Sequence, residues 1–226
     1  TGELLFKQSQ PGAEIASARE IGAWKDVEHE RTVVLTKGPL IVIDRCKADA
    51  EHVYDWLSHP CETRLELDRA SVSPADIDAF GTAPCYASLP VTGMVKNPAA
   101  LRWTRKDTSG LSMSLAEGAG TVYTSQVKDT FRPFESLLWR QKGTTVSFAA
   151  AYLPLDKTEA GAVTLETLAV TDEGKRPVGL DAGQAVRVTS PEGSCVVLVN
   201  YAGLALSAGG VTGKAGERVT VSISAP

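Results

Sequence analysis

Three histidines and four cysteines in 226 residues, with only 6% aromatics, leave few ways to build a metal or redox centre. No pair among Cys46, Cys61, Cys85 and Cys195 has the Cys-x-x-Cys spacing that chelates zinc. No metal site and no cofactor are therefore expected. A single disulfide and four free thiols both fit these cysteines. No apolar run approaches the roughly 20 residues of a bilayer-spanning helix. The longest comparable stretch, residues 146–155, is interrupted by Ser147, so no membrane contact is expected. The opening residues, TGELLFKQSQPG, lack the basic leader and apolar core of a signal peptide. Lys and Arg number 23 against 27 Asp and Glu, a net charge of −4 with no basic cluster, which argues against a nucleic-acid surface. A local basic groove for an anionic polysaccharide is compatible with that balance.

Helix signals are also scarce. Ser73-Pro74 before residues 75–80 offers an N-cap with proline at the first helical position, enough for a turn or two. Strand signals dominate. Residues 33–35 and 40–43 flank a Lys37-Gly38-Pro39 turn, and the second run is apolar throughout. Leu111, Met113 and Leu115 alternate with small or polar residues, as do Val219, Val221 and Ile223. Further strands are predicted over 63–67, 99–104, 121–127, 136–141, 144–153, 163–170, 185–189 and 195–200. Residues 49–57 fit helix or strand, and their aromatic and β-branched content favours strand. The expected fold is all-β, a two-sheet antiparallel β-sandwich with few short helices. Residues 1–156 form the main unit. Beyond the polar segment 157–161 the chain has no Trp or Phe, so 157–226 reads as closing strands of the same sandwich or as a small appended β module.

Four local patterns point to a family. Glu28-His29-Glu30-Arg31-Thr32 enters a strand, and LIVIDR at 40–45 is a Val/Ile-rich strand ending in Asp-Arg. HVYDWLSH spans 52–59, and WRQKGTTVSF at 139–148 leads to Tyr152-Leu153-Pro154. Together they resemble the C-terminal β-sandwich of heparinase II/III-like polysaccharide lyases, over roughly residues 15–156. The resemblance implies cleavage of uronate-containing polysaccharide by β-elimination and a periplasmic or secreted address. It also implies an α-helical toroid on a partner chain or segment, which in the family supplies a Tyr and a His or Asn. The family sandwich adds a histidine from a His-x-His segment. This sequence has no His-x-His, so no catalytic residue is carried over.

The substrate-binding candidates are His29, Arg31, Arg102, Trp103 and Arg105. His29 lies between two glutamates just before Arg31, which suits a cleft residue but more readily a solvated loop histidine. LRWTRK places Trp103 between Arg102 and Arg105, which suits an acidic sugar or a charge-protected edge strand. Tyr54, Trp56, Tyr123 and Trp139 are further aromatics, with Trp56 and Trp139 assigned to the core. His52 and His59 are at odd separation, facing opposite sides of a strand, and are read as structural. Asp55, Glu62, Glu66 and Asp68 form no assignable acid–base pair. Two other functions stay open: a non-catalytic carbohydrate-binding or structural β module, and a processed hydrolase subunit with Thr1 as nucleophile.

Overall fold

Two strands much longer than the usual five or six residues organise the molecule. The computed structural model describes residues 2–22, 24–58, 64–66, 72–73, 91–95, 101–104, 109–116, 120–128, 133–156 and 162–225. Among them every regular element is a strand, and no helix occurs. Ser73, expected to cap a short helix, ends a strand instead, and residues 74–80 lie outside the described residues. The first four strands are β1 (Gly2–Gln10), β2 (Ala13–Ile21), β3 (Val27–Thr36) and β4 (Leu40–Ser58). They form a meander in which each strand pairs antiparallel with the next. The sheet continues through β5 (Arg64–Glu66), β6 (Val72–Ser73), β7 (Val91–Val95), β8 (Leu101–Thr104), β9 (Gly110–Leu115), β10 (Thr121–Lys128) and β11 (Pro133–Leu155).

The sequence pattern suggested separate strands at 40–43 and 49–57, and again at 136–141 and 144–153. The structure joins each pair into one strand, β4 and β11. Leu40 to Lys47 pairs with Tyr152 to Thr145, and His52 to Ser58 pairs with Gly143 to Leu137. The register breaks between Gly143 and Thr145. A bulge of this kind lets a strand bend from one layer into another. The bend folds the second half of β4 over the first, because Trp56 Nε1 donates to Asp44 Oδ2 at 2.9 Å. Ser58 and Tyr152 hydroxyls meet at 3.2 Å, and the Trp139 and Phe148 rings pack edge to face at 5.1 Å.

The other face of β2–β3–β4–β11 packs on a second sheet. Its strands are β12 (Thr164–Leu168), β14 (Gly183–Ser190), β15 (Gly193–Asn200) and β18 (Val219–Ser224), in the order β12-β14-β15-β18. Ile15, Val34, Ile41, Val186, Val197 and Val219 belong to one continuous buried cluster spanning both sheets. Ser112 and Ser114, the polar partners in the β9 alternation, are buried too: their hydroxyls accept the Val163 and Leu165 backbone N–H groups at 3.0 Å. A small sheet of β13 (Thr171–Asp172), β16 (Leu206–Ala208) and β17 (Val211–Gly213) covers a separate cluster around Leu198 and Leu206. The result is an antiparallel β-sandwich, as the strand spacing implied.

Strand alternation divides the charges of the β3–β4 hairpin between its two faces. His29 and Arg31 point one way with Asp44. Glu28 and Glu30 point the other way with Arg45, beneath the C-terminal sheet. There Arg218 Nη2 meets Glu30 Oε2 at 2.6 Å, and Arg45 Nη2 lies 2.6 Å from Glu28 and 3.4 Å from Glu30. The Arg45 guanidinium stacks 4.0 Å over the ring of Tyr201. Burial, the largest influence, raises the Tyr201 phenol above its ordinary range. The Ser147 hydroxyl donates to the backbone carbonyl of Asp44 at 2.8 Å and also contacts the side-chain amide of Gln184. The C-terminal sheet thus fixes the backbone at the residue around which the cleft is built.

Candidate functional site

A cleft of about 490 Å³ opens where the bend brings the two halves of β4 together. Trp24 and Lys25, from the β2–β3 turn, form one rim; His29, Arg31, Asp44, Cys46 and Phe148 line the floor, and His52 to Leu57 the opposite wall. Asp44 is the hub and is 1% exposed. Its Oδ1 accepts from His29 Nε2 at 2.6 Å and from Arg31 Nε at 2.7 Å. Its Oδ2 accepts from Arg31 Nη2 at 3.0 Å and from Trp56 Nε1 at 2.9 Å. Four donors fill the acceptor capacity of an ionised carboxylate. Burial pushes the Asp44 carboxyl up, but the hydrogen bonds from His29 and Arg31, with the charge of Arg31, outweigh it and leave the group below the usual carboxylate range. An ionised Asp44 cannot donate, so His29 Nε2 carries the proton of that contact. His29 Nδ1 has no hydrogen-bond partner among the described residues.

The wall is held by a second, bidentate pair. Arg140 Nε and Nη2 each donate to Asp55 at 2.7 Å across the β4–β11 ladder. Tyr54 is 8% exposed, with its ring edge-on to His52 at 6.0 Å. Tyr152, below Ser58, has its phenol raised to about 12 by burial, which outweighs the Ser58 hydrogen bond and the Arg31 charge. Among the described residues no group of three or more His, Cys, Asp or Glu side chains could hold a metal ion.

The two cysteines described are free thiols, so neither Cys46 nor Cys195 is in a disulfide; Cys61 and Cys85 lie outside the described residues. Burial, reinforced by the charge of Asp44, pushes Cys46 up to about 12, and burial pushes Cys195 up to about 11. Thiolate is the reactive form. Neither thiol is therefore expected to be alkylated by iodoacetamide at neutral pH until the protein unfolds. Mass mapping of labelled peptides checks this, and rapid labelling of folded Cys46 would contradict it.

The sequence candidates separate in space. His29 and Arg31 share Asp44 in the cleft, and Arg31 is half exposed. Arg102 lies on β8, 3.7 Å from Glu66 of β5. Trp103, the next residue of β8 and paired with Leu65, is 0% exposed, so its ring faces the core and offers no surface to a sugar. Arg105, His59, Glu62, Asp68 and Thr1 lie outside the described residues. Asp44 was seen only as part of a linear pattern, and Trp56 only as a core aromatic. Their pairing depends on the bend, for which the Gly143 break in the β11 pattern was the available signal. Trp24 and Lys25 were not singled out. A tryptophan two residues after a glycine, in a turn between strands, has no core to enter, and that was its signal.

No protein-family model matches the chain, and no curated protein does. Among solved structures it is similar to heparan sulfate lyase HepC from Pedobacter heparinus, at 13% identity with a TM-score of 0.58. That likeness covers 88% of this chain and 28% of that one. It is also similar to a protein described as heparinase III, the BT4657 gene product, at 8% identity and TM-score 0.59, over 88% of this chain and 27% of that one. The chain thus spans little more than a quarter of the length of either structure, and it has the β-sandwich fold that forms part of these lyases.

Proposed function

We propose that this chain is the C-terminal β-sandwich part of a polysaccharide lyase. Its substrate is a uronate-containing polysaccharide, cleaved by β-elimination. The α-helical toroid and the main catalytic residues lie on a partner chain or segment, and the enzyme is periplasmic or secreted. The observation supporting this reading is a fold shared over 88% of the chain with heparan sulfate lyase HepC.

In β-elimination a base takes the C5 proton of the uronate, the C4–O4 bond breaks, a C4=C5 double bond forms, and an acid protonates the leaving oxygen. Charge builds on the uronate carboxylate as the proton leaves, so a fixed cation beside it lowers the barrier. Arg31 suits that role, because Asp44 anchors one edge of its guanidinium and fixes its direction. His29 is oriented by the same carboxylate, with Nδ1 left to meet substrate.

A second reading is a non-catalytic carbohydrate-binding module. The half-open indole of Trp24, 59% exposed, favours it. Intact mass and N-terminal sequencing of the natively purified protein separate the two. A stoichiometric helical partner, or a longer chain containing a helical segment, is expected. A lone chain of 23.9 kDa would overturn the two-part enzyme.

A further inference from the structure

The cleft contains two carboxylates, Asp44 and Asp55, and each is matched by its own arginine. A further charged group on its lining is Lys25, which makes no ion pair among the described residues. The unbalanced charge that the cleft offers is therefore positive, although the whole chain carries −4. Arg31 spends only its Nε–Nη2 edge on Asp44. Among the described residues its Nη1–Nη2 edge meets no acceptor, which leaves it for a second oxyanion, in the fork geometry that suits carboxylate or sulfate.

Trp24 lines the same cleft, edge-on to His29. Its ring centroid is 6.2 Å from that of His29 at 67°, and more than half of its surface is open. The turn that presents it is tightly set. Val27 N–H donates to the Trp24 carbonyl at 3.3 Å, Gly22 has φ of 90°, and Asp26 has φ of 61° without being glycine. A left-handed non-glycine residue is strained, and such strain collects at ligand sites. The residue types that the sequence suggested at Trp103, an aromatic ring and an arginine, line one cleft in the fold at Trp24 and Arg31.

We infer that Trp24 and Arg31 form a subsite for one anionic sugar residue. The apolar face of the pyranose lies on the indole, and its carboxylate or sulfate takes the open edge of Arg31. Lys25 adds a second, solvated cation at the rim. The inference rests on the proposed lyase reading only for the identity of the polymer, since the subsite operates in a binding module equally well.

Calorimetric titration of the natively purified protein tests it, with a glucuronate–N-acetylglucosamine tetrasaccharide and the neutral N-acetylglucosamine tetrasaccharide as probes. The acidic probe is expected to bind more tightly. Trp24→Ala should weaken it about tenfold, with Trp24→Phe between the two. Arg31→Gln should remove the preference for the acidic probe. Trp24 is exposed, so its variants keep the melting temperature of the parent, which controls for folding. Trp24→Ala binding within twofold of the parent overturns the subsite, as does equal affinity for both probes or binding of neither. Trp24-dependent binding without any unsaturated product leaves the subsite standing and removes the lyase. Product formation that Trp24→Ala does not affect does the reverse.

Discussion

Asp44→Ala is expected to lower the unfolding free energy by about 3 kcal/mol. The loss comes mainly from the buried Trp56 N–H, which is left without an acceptor, and from the three bonds that His29 and Arg31 make to the carboxylate. Arg31 contributes less than a buried ion pair would, because it is half exposed and relaxes into water. Asp44→Asn keeps one acceptor oxygen but turns an NH₂ towards the donors of Arg31 or Trp56, so a loss of about 1–2 kcal/mol is expected. Urea unfolding with an unchanged m-value checks both. The pH dependence follows from the direction of the shift. The folded carboxyl titrates below its unfolded value of about 3.9. Its contribution is complete above that value and is lost as pH falls through the folded one. The gap between parent and Asp44→Ala is therefore expected to hold steady from pH 7 down to about 5 and to close below about 4. A gap that widens in acid would contradict the geometry.

Glu30→Ala is expected to cost about 3–5 kcal/mol, the largest effect of any single substitution considered. Glu30 is 1% exposed and is held between Arg218 and Arg45. Removing it leaves Arg218 with no carboxylate, and Arg45 with Glu28 alone, among the described residues. The double variant Glu30→Leu with Arg218→Leu removes both charges and replaces them with apolar bulk. It should recover about half of the loss or more, since a buried pair often exchanges with hydrophobic residues at little net cost. A double-mutant cycle measures the coupling, and strict additivity would show that the two residues do not interact. The pair joins residue 30 to residue 218, so the effect also reports how firmly the C-terminal sheet is seated behind the cleft.

Much of the fold was legible because strand periodicity is local. The β3–β4 hairpin was marked by Gly38-Pro39 between two apolar runs, and the β9 and β18 alternations were visible in the residues themselves. The fusion of segments into β4 and β11 was not, because a bend within a paired strand resembles a turn in sequence. The burial of the β9 serines was not legible, since their acceptance of N–H groups from residues 163 and 165 is a long-range contact. In the site, His29 and Arg31 were legible from the Glu-His-Glu-Arg run that enters the β3–β4 hairpin. Asp44 was not, because its partner Trp56 reaches it only through the fold. Trp103 misled because a ring between arginines reads the same on a core-facing strand as on an exposed one, and pairing with Leu65 and Leu111 decided for the core.

The sandwich explains how one carboxylate can aim an imidazole and a guanidinium into the same cleft while the opposite face of the hairpin is locked by Glu30. Whether that cleft serves elimination is tested most directly on the natively purified protein with every associated chain retained. It would be incubated with a panel of uronate polysaccharides while the ultraviolet absorbance of a C4=C5 unsaturated uronate is followed. The expected result is a rise with at least one polymer, diminished in Arg31→Ala. New reducing ends without that absorbance would identify hydrolysis and contradict the lyase, and no cleavage of any uronate polymer would contradict it as well.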